Sequence, residues 1–596
     1  MRLAARLKRD VRYVRGLGRT LGRVRTIAPD SEQLTCDDLE AAVDKHAASP
    51  AVEFEGKTVT YTELDALANR FAHWAEAQHM RRGDVVALFL PNRIEYLAAW
   101  YGLMKVGVVS ALINSNLTGR ALAHCVDIAG AAHAIVDAQT GPCLDEARAA
   151  LPRPITVWSL DGRTGDHRDL DRTLHGVSAL RPDRRARRFG LLARETALYI
   201  YTSGTTGLPK AAKIAHTRAQ LYMRGFAGST GATAADRIYI TLPLYHATGG
   251  LCAVGAALLN GGAIILRRKF SATQFWDDVV DGRATMFVYI GELGRYLLNT
   301  PEHPRERAHG LRLIFGNGLR PDVWGELQQR FAIPEVLEFY GSTEGNVSFF
   351  NFDGKTGSIG RVPKWLRSRF NVRLVRFDLE TEQPVRGPDG FCIECAPGEI
   401  GEAVGLIGTG ARDGYTGYAD RQASERKVLR DVFARGDAWF RSGDLMRQDE
   451  EGYFYFVDRI GDTFRWKGEN VSTTEVAERL SGAPGVAEVT VYGVEVPGAD
   501  GRAGMAAVVA EPGFDPAAFA AHAERELPPY ARPLFLRLQP HLEATGTFKH
   551  RKVDLVKAGF DPRLTPDPLW FRETQGAYAP LDEALHARIV GGEFKL

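Results

Sequence analysis

The sequence predicts an α/β fold in which a large N-terminal domain of layered α/β subdomains precedes a smaller C-terminal α/β domain, and three stretches carry that prediction. From about Ala51 to Asn114 short β-like runs alternate with helical ones: Thr58 to Thr60, then Tyr61 to Gln78, then Asp84 to Leu90, then Glu95 to Val106. The same alternation returns from Thr196 to about Gly341. Beyond Arg459 a shorter unit offers strands at Ala487 to Val496 and Ala503 to Ala510, with a helical segment from Asp515 to Glu526. Between them, from about Val372 to Val457, short strands and Gly or Pro turns predict a β-rich subdomain.

Length and composition agree with several packed cores. The chain has 596 residues, 45% of them hydrophobic and 25% charged, with 62 glycines, which describes a globular protein rich in loops. A net charge of +2 gives no reason to expect a nucleic-acid partner. Six cysteines are too few for a disulfide scaffold and fit a reducing compartment. Cys392 and Cys395 have zinc-ligand spacing but no second Cys or His pair nearby. The basic N-terminus lacks the form of a cleavable secretory signal. Ile238 to Leu266 carries no Asp, Glu, Lys or Arg, but Pro243, His246, Asn260 and its glycines point to a buried strand, loop and helix instead of a membrane span.

The first 28 residues form a basic amphipathic helix. Leu3, Leu7, Val11, Val14, Leu17, Leu21 and Val24 recur every three or four positions, while Lys8, Arg9, Arg12, Arg15, Arg19 and Arg23 make the polar side cationic. Such a helix suits a membrane surface, with apolar side chains among acyl chains and arginines on anionic headgroups. A helix packed on the protein body and an Arg-rich transit sequence share the same pattern.

The chemistry begins where the apolar strand Ala197 to Tyr201 ends. Thr202-Ser203-Gly204-Thr205-Thr206-Gly207, followed by Lys210, combines hydroxyls, glycines and a lysine. Glycine lets the backbone approach oxygens closely, hydroxyls and amides donate to them, and the lysine balances charge, so the segment suits a polyphosphate. It lacks Walker spacing. Further along stand Tyr340-Gly341-Ser342-Thr343-Glu344, Asp444 within Arg441 to Asp444, Arg459, and Lys549 in Thr545 to Lys549.

These segments, in this order, resemble the adenylate-forming superfamily of acyl-CoA synthetases, luciferases and peptide-synthetase adenylation domains. The resemblance implies that Tyr340 stacks on adenine, Thr343 meets the α-phosphate and Glu344 holds Mg²⁺, each role suited to its side chain. It implies that Asp444 and Arg459 bind ribose. It also implies that Lys549 counters the charge that develops as a carboxylate attacks the α-phosphate. Many relatives have glycine where this chain has Phe548. His246 falls where relatives keep an active-site histidine near the entering acid.

Longer strings narrow the branch: Phe287 to Asn299, Gly316-Asn317-Gly318-Leu319-Arg320, Asp462 to Ser472, Val491 to Pro497 and Gly501 to Met505. Together they are similar to the fatty acid transport protein and very-long-chain acyl-CoA synthetase branch. That implies an ATP-dependent ligase joining a long or very long fatty acid to coenzyme A through an acyl-adenylate, with Mg²⁺. By the same resemblance Gly316, Asn317 and Gly318 wall the adenine and acyl site, and Lys467, Gly468, Glu469 and Asn470 lie near the coenzyme A path. Residues 29–458 are then the large AMP-binding and acyl-binding domain, and 459–596 the small mobile one. The hinge lies at 458–462, where Gly461 allows a large backbone change. The expected location is the cytoplasm, at a membrane surface. An acyl-AMP ligase, a ligase for bile acid, carnitine or aromatic acids, and a fatty acid uptake protein remain open alternatives. Acyl chain length and oligomeric state are not legible.

Overall fold

The structure, a computed structural model, describes residues 2–202, 208–379, 381–467, 469–499, 501–543, 552–573 and 575–594. The chain forms two compact units, Met1–Val362 with Gly405–Leu429 and Ala438–Phe440, and Pro363–Val404 with Arg430–Asp437 and Arg441–Leu596.

The first unit is built on two sheets. One has seven strands in the order 168–169, 156–159, 133–136, 85–88, 109–112, 196–202 and 210–215, parallel except for the last pair. The other has eight, in the order 348–350, 336–341, 313–317, 286–290, 237–240, 263–266, 50–54 and 57–60, parallel except at its two ends. Strands Val85–Leu88, Val109–Leu112 and Ala263–Leu266 are buried at every residue. That burial explains why 85–88 and 263–266 read as unbroken apolar runs and why 109–112 departs from one only at the small Ser110.

Local chemistry sets the element ends. Thr60 caps the helix Tyr61–Ala77 by accepting from Glu63 N at 3.2 Å, while the Glu63 carboxylate accepts from Thr60 N at 2.7 Å. The uncharged run 238–266 folds as a strand, a loop, the π-helix Thr248–Ala253, the helix Val254–Leu258 and a second strand. Among the described residues no helix is long and apolar enough to cross a membrane.

The helix Arg2–Val24 packs on the helix His216–Ser229. Tyr13, Gly16, Thr20 and Val24 are buried, and the Tyr13 hydroxyl donates to Arg361 O at 2.9 Å. Leu7, Val11, Val14 and Leu21 stay exposed, at 66%, 43%, 48% and 37%. The reason is local. Gly16 leaves room for the Phe352 ring, and Gly228 lets the two helices touch backbone to backbone at Arg19 and Thr20.

The strands Tyr453–Arg459, Ala438–Gln448, Ile400–Leu406 and Val372–Asp378 follow one another in one sheet. The C-terminal sheet has the order 486–495, 502–510, 535–539, 569–572 and 578–580, with 502–510 and 535–539 parallel. Its core holds Met505, Phe519, Phe535, Leu536 and Phe571. The helix Pro516–Glu526 starts where Asp515 accepts from Ala517 N and Ala518 N and proline fills the first turn.

Candidate active site

The strand Thr196–Thr202 ends with Thr202 directly opposite Lys210 on the antiparallel strand Lys210–Ala215. Ser203, Gly204, Thr205, Thr206 and Gly207 lie outside the described residues, so the loop is known by its two posts. Tyr201 anchors the first post, its buried hydroxyl donating to Cys125 O at 2.5 Å. At the second, the Lys210 ammonium stands 5.9 Å from the centroid of the Tyr418 ring.

Tyr418 is where this edge meets the next motif. Residues 417–419 lie antiparallel on the strand Lys210–Ala215, with Lys213 N donating to Gly417 O at 3.0 Å and Ala419 N to Ala211 O at 2.8 Å. The Tyr418 hydroxyl, 5% exposed as a residue, donates to Glu344 Oε1 at 2.5 Å. Burial and then the Glu344 charge push its ionisation far up, so it remains a donor.

The strand Val336–Gly341 delivers Tyr340 and Gly341, and the turn after it carries Ser342, Thr343 and Glu344. That turn is clamped. The Tyr222 hydroxyl lies within hydrogen-bonding reach of Ser342 O, at 2.9 Å, and Thr343 O, at 3.0 Å. A Cβ at Gly345 would collide with the Ser342 hydroxyl and the Phe440 ring. Buried Asn346 donates to Leu406 O at 2.8 Å and Asp413 O at 2.9 Å.

Gly316 and Asn317 end the strand Leu313–Asn317, which pairs in parallel with Val336–Gly341, so both motifs stand at C-terminal ends of neighbouring strands. Open α/β sheets bind ligands at such ends. Gly316 has no room for a Cβ beside Tyr289 O, and Gly318 has φ +82. Behind them the fully buried Glu338 accepts from Gly318 N at 2.5 Å and Leu319 N at 3.1 Å, and its other oxygen meets the Tyr289 hydroxyl. Burial pushes the Glu338 carboxyl up to about 8.

His246 lies just before the π-helix, with its ring 4.6 Å from that of Tyr245. Buried Asn92 fixes the loop before it, donating to Leu242 O and Arg267 O at 3.0 Å and accepting from Leu244 N at 2.8 Å. Single-turn π segments recur at functional sites.

In the second unit Asp444 and Arg459 face each other across two antiparallel strands, Nε to Oδ1 3.8 Å. Buried Glu402 pins that approach, accepting from Arg441 at 2.9 to 3.1 Å and from Gly443 N at 3.2 Å. Lys467, Glu469 and Asn470 are exposed around a hairpin in which Trp466 pairs with Glu469. Gly468 and Lys549 lie outside the described residues. Cys392 and Cys395 are both free, and burial pushes the Cys395 thiol up to about 12.

Four positioning side chains went unread in the sequence: Asn92, Tyr222, Glu338 and Tyr418. Each acts on partners distant in the chain, and Glu338 alone stands beside a motif, two residues before Tyr340.

The AMP-binding enzyme family matches residues 39–404, and the AMP-binding enzyme C-terminal domain matches 475–549. The chain is 44% identical over 544 residues to long-chain fatty acid transport protein 1 of Mus musculus, covering 90% of this chain and 84% of the relative. It is 41% identical over 555 residues to long-chain fatty acid transport protein 2 of Rattus norvegicus, covering 92% and 89%. Among solved structures it is similar to ATP-bound MatB from Rhodopseudomonas palustris, with TM-score 0.72 and 24% identity over 88% of this chain and 98% of that one. It is also similar to a Mycobacterium tuberculosis fatty acyl CoA synthetase, with TM-score 0.63 and 25% identity over 88% and 98%. With its sheets, motif order and match along both domains, the chain belongs to the adenylate-forming AMP-binding enzymes, in the family of the long-chain fatty acid transport proteins, and is an AMP-forming acid–thiol ligase.

Proposed function

We propose that the protein joins a long-chain or very-long-chain fatty acid to coenzyme A, consuming ATP and releasing AMP and pyrophosphate. What carries this reading is the 44% identity, over nine tenths of the chain, to a relative whose name specifies long-chain fatty acids. In the first half-reaction a fatty carboxylate oxygen attacks the α-phosphorus and the bond to pyrophosphate breaks. In the second the coenzyme A sulfur attacks the acyl carbon, AMP leaves, and the thiol proton goes to solvent. No covalent enzyme intermediate is needed.

The roles follow from side-chain chemistry. The loop Thr202 to Gly207 and Lys210 hold the β- and γ-phosphates, Tyr340 stacks on adenine beside Gly316, Asn317 and Gly318, and Thr343 donates to the α-phosphate. Asp444 accepts from ribose hydroxyls with Arg459 beside it. Lys549 balances charge at the α-phosphate, and His246 borders the entering acid. Lys467, Gly468, Glu469 and Asn470 serve the coenzyme A path. Mg²⁺ suits Glu344, a hard oxygen donor with only Oε1 engaged among the described residues, and when bound it neutralises the phosphate oxygens.

The test is a ligation assay across acids of different length, following AMP release with and without coenzyme A. Coenzyme A-dependent thioester formation that favours long chains is expected, and Lys549→Ala should abolish adenylate formation. Adenylate without coenzyme A transfer would make it an acyl-AMP ligase. Preference for a bile, carnitine or aromatic acid, or fatty acid uptake that survives Lys549→Ala, would replace the reading.

A second reading concerns place. The exposed row Leu7, Val11, Val14 and Leu21, flanked by exposed Arg12 and Arg15, favours a cytoplasmic enzyme resting on an anionic membrane surface. Sedimentation with anionic vesicles should fall when Leu7 and Val11 become Ser; unchanged sedimentation would remove this reading.

A further inference from the structure

The Glu344 carboxylate and the Lys210 ammonium, the charges expected to meet a cation and a phosphate, do not pair with each other among the described residues. Tyr418 meets both. Its hydroxyl holds Glu344 Oε1 at 2.5 Å, and its ring lies 5.9 Å from Lys210 Nζ. Tyr418 is fixed there from behind: Ala212 bridges to it, and its own N–H donates to Ser424 Oγ at 2.9 Å.

A lysine and a carboxylate this close to one ring would gain by pairing directly. Such a pair would neutralise the carboxylate and blunt its pull on a divalent cation. A phenol offers an alternative to each partner, one O–H for the carboxylate and a π face for the ammonium. Because the hydroxyl has one proton to give, it engages one carboxylate oxygen and leaves the other open.

We propose that Tyr418 is a positioning residue for cation and phosphate binding: its hydroxyl orients Glu344 toward a divalent cation, and its ring keeps Lys210 from neutralising that carboxylate. The inference rests on the ligase reading for the identity of the phosphate ligand, not for the geometry.

The test uses the full chain and Mn²⁺ as a spectroscopic cation, with α,β-methylene-ATP, which does not react. Free Mn²⁺ is read by electron paramagnetic resonance. Tyr418→Phe should weaken Mn²⁺ binding about tenfold, the scale of one lost hydrogen bond to a charged group. The Mg²⁺ needed for half-maximal pyrophosphate release should rise in parallel, while thioester formation from supplied acyl-adenylate and the melting temperature stay as in the parent. Tyr418→Leu should weaken Mn²⁺ binding further, and, measured without nucleotide because Lys210 is also assigned to phosphate, adding Lys210→Ala to it should recover part of that loss. Parental Mn²⁺ binding in Tyr418→Phe, or no recovery in the double variant, would overturn the proposal. If the parent releases pyrophosphate with no acid at all, the ligase reading falls while the Mn²⁺ measurement still decides the role of Tyr418.

Discussion

Glu338 holds three donors with two oxygens: Gly318 N, Leu319 N and the Tyr289 hydroxyl. Its burial has a price in pH dependence. With its pKa pushed up to about 8, the folded chain keeps a proton that the unfolded chain surrenders at the ordinary carboxyl value. The contribution to stability is therefore full at low pH, declines as pH rises toward 8, and is flat beyond. Urea unfolding should show a fall of at most about 1.4 kcal/mol per pH unit across that window, and Glu338→Gln should flatten the slope while its amide oxygen keeps both N–H groups satisfied. An unchanged slope in the variant would assign it to other groups. At this scale the sequence shows side chains whose partners are contiguous, such as Tyr340 to Glu344, because chemistry demands neighbouring residue types. It hides Tyr418, 74 residues from Glu344, and Tyr222, 120 residues from Ser342, because only the folded sheets bring them together.

The N-terminal helix shows what periodicity leaves open. The 3.6-residue repeat marks an apolar row, yet the helix docks through Tyr13, Gly16, Thr20 and Val24, with Gly16 making room for the Phe352 ring and Gly228 for the helix backbone. Gly228 is the point where the two helix backbones meet, and an added Cβ would stand 2.8 Å from Arg19 O and Thr20 Cα. Gly228→Val should cost about 1–3 kcal/mol of docking and so speed tryptic cleavage at the helix arginines by roughly five- to 150-fold. Cleavage after Arg12 and Arg15, timed by mass spectrometry, measures it; equal rates would mean the helix does not depend on this crossing.

For the molecule as a whole, alternating strand and helix patterns announce the layered α/β architecture because parallel strands need helical crossovers. Strand order is not legible that way, since it depends on pairings between distant segments. Asp458, at the start of the expected hinge, is bound to the helix Thr473–Leu480 by accepting from Thr473 N at 2.6 Å and Thr474 Oγ at 3.1 Å. That leaves Gly461 free of this anchor. Gly461→Pro should slow thioester formation more than adenylate formation in single-turnover assays. Equal slowing of both would remove the hinge from Gly461.

The short pairing of residues 417–419 with the strand Lys210–Ala215 also matters before the protein is finished. That strand is the outer edge of the seven-stranded sheet, and an uncovered edge is a template for aggregation. Its cover is encoded about 200 residues later, so on the ribosome the edge waits roughly 10–40 s, at 5–20 residues per second, for its closure. Lys210 and Lys213, both on that edge strand, supply charge that discourages a stray strand in the interval. The lysine proposed to hold a phosphate thus also places charge on this edge during synthesis.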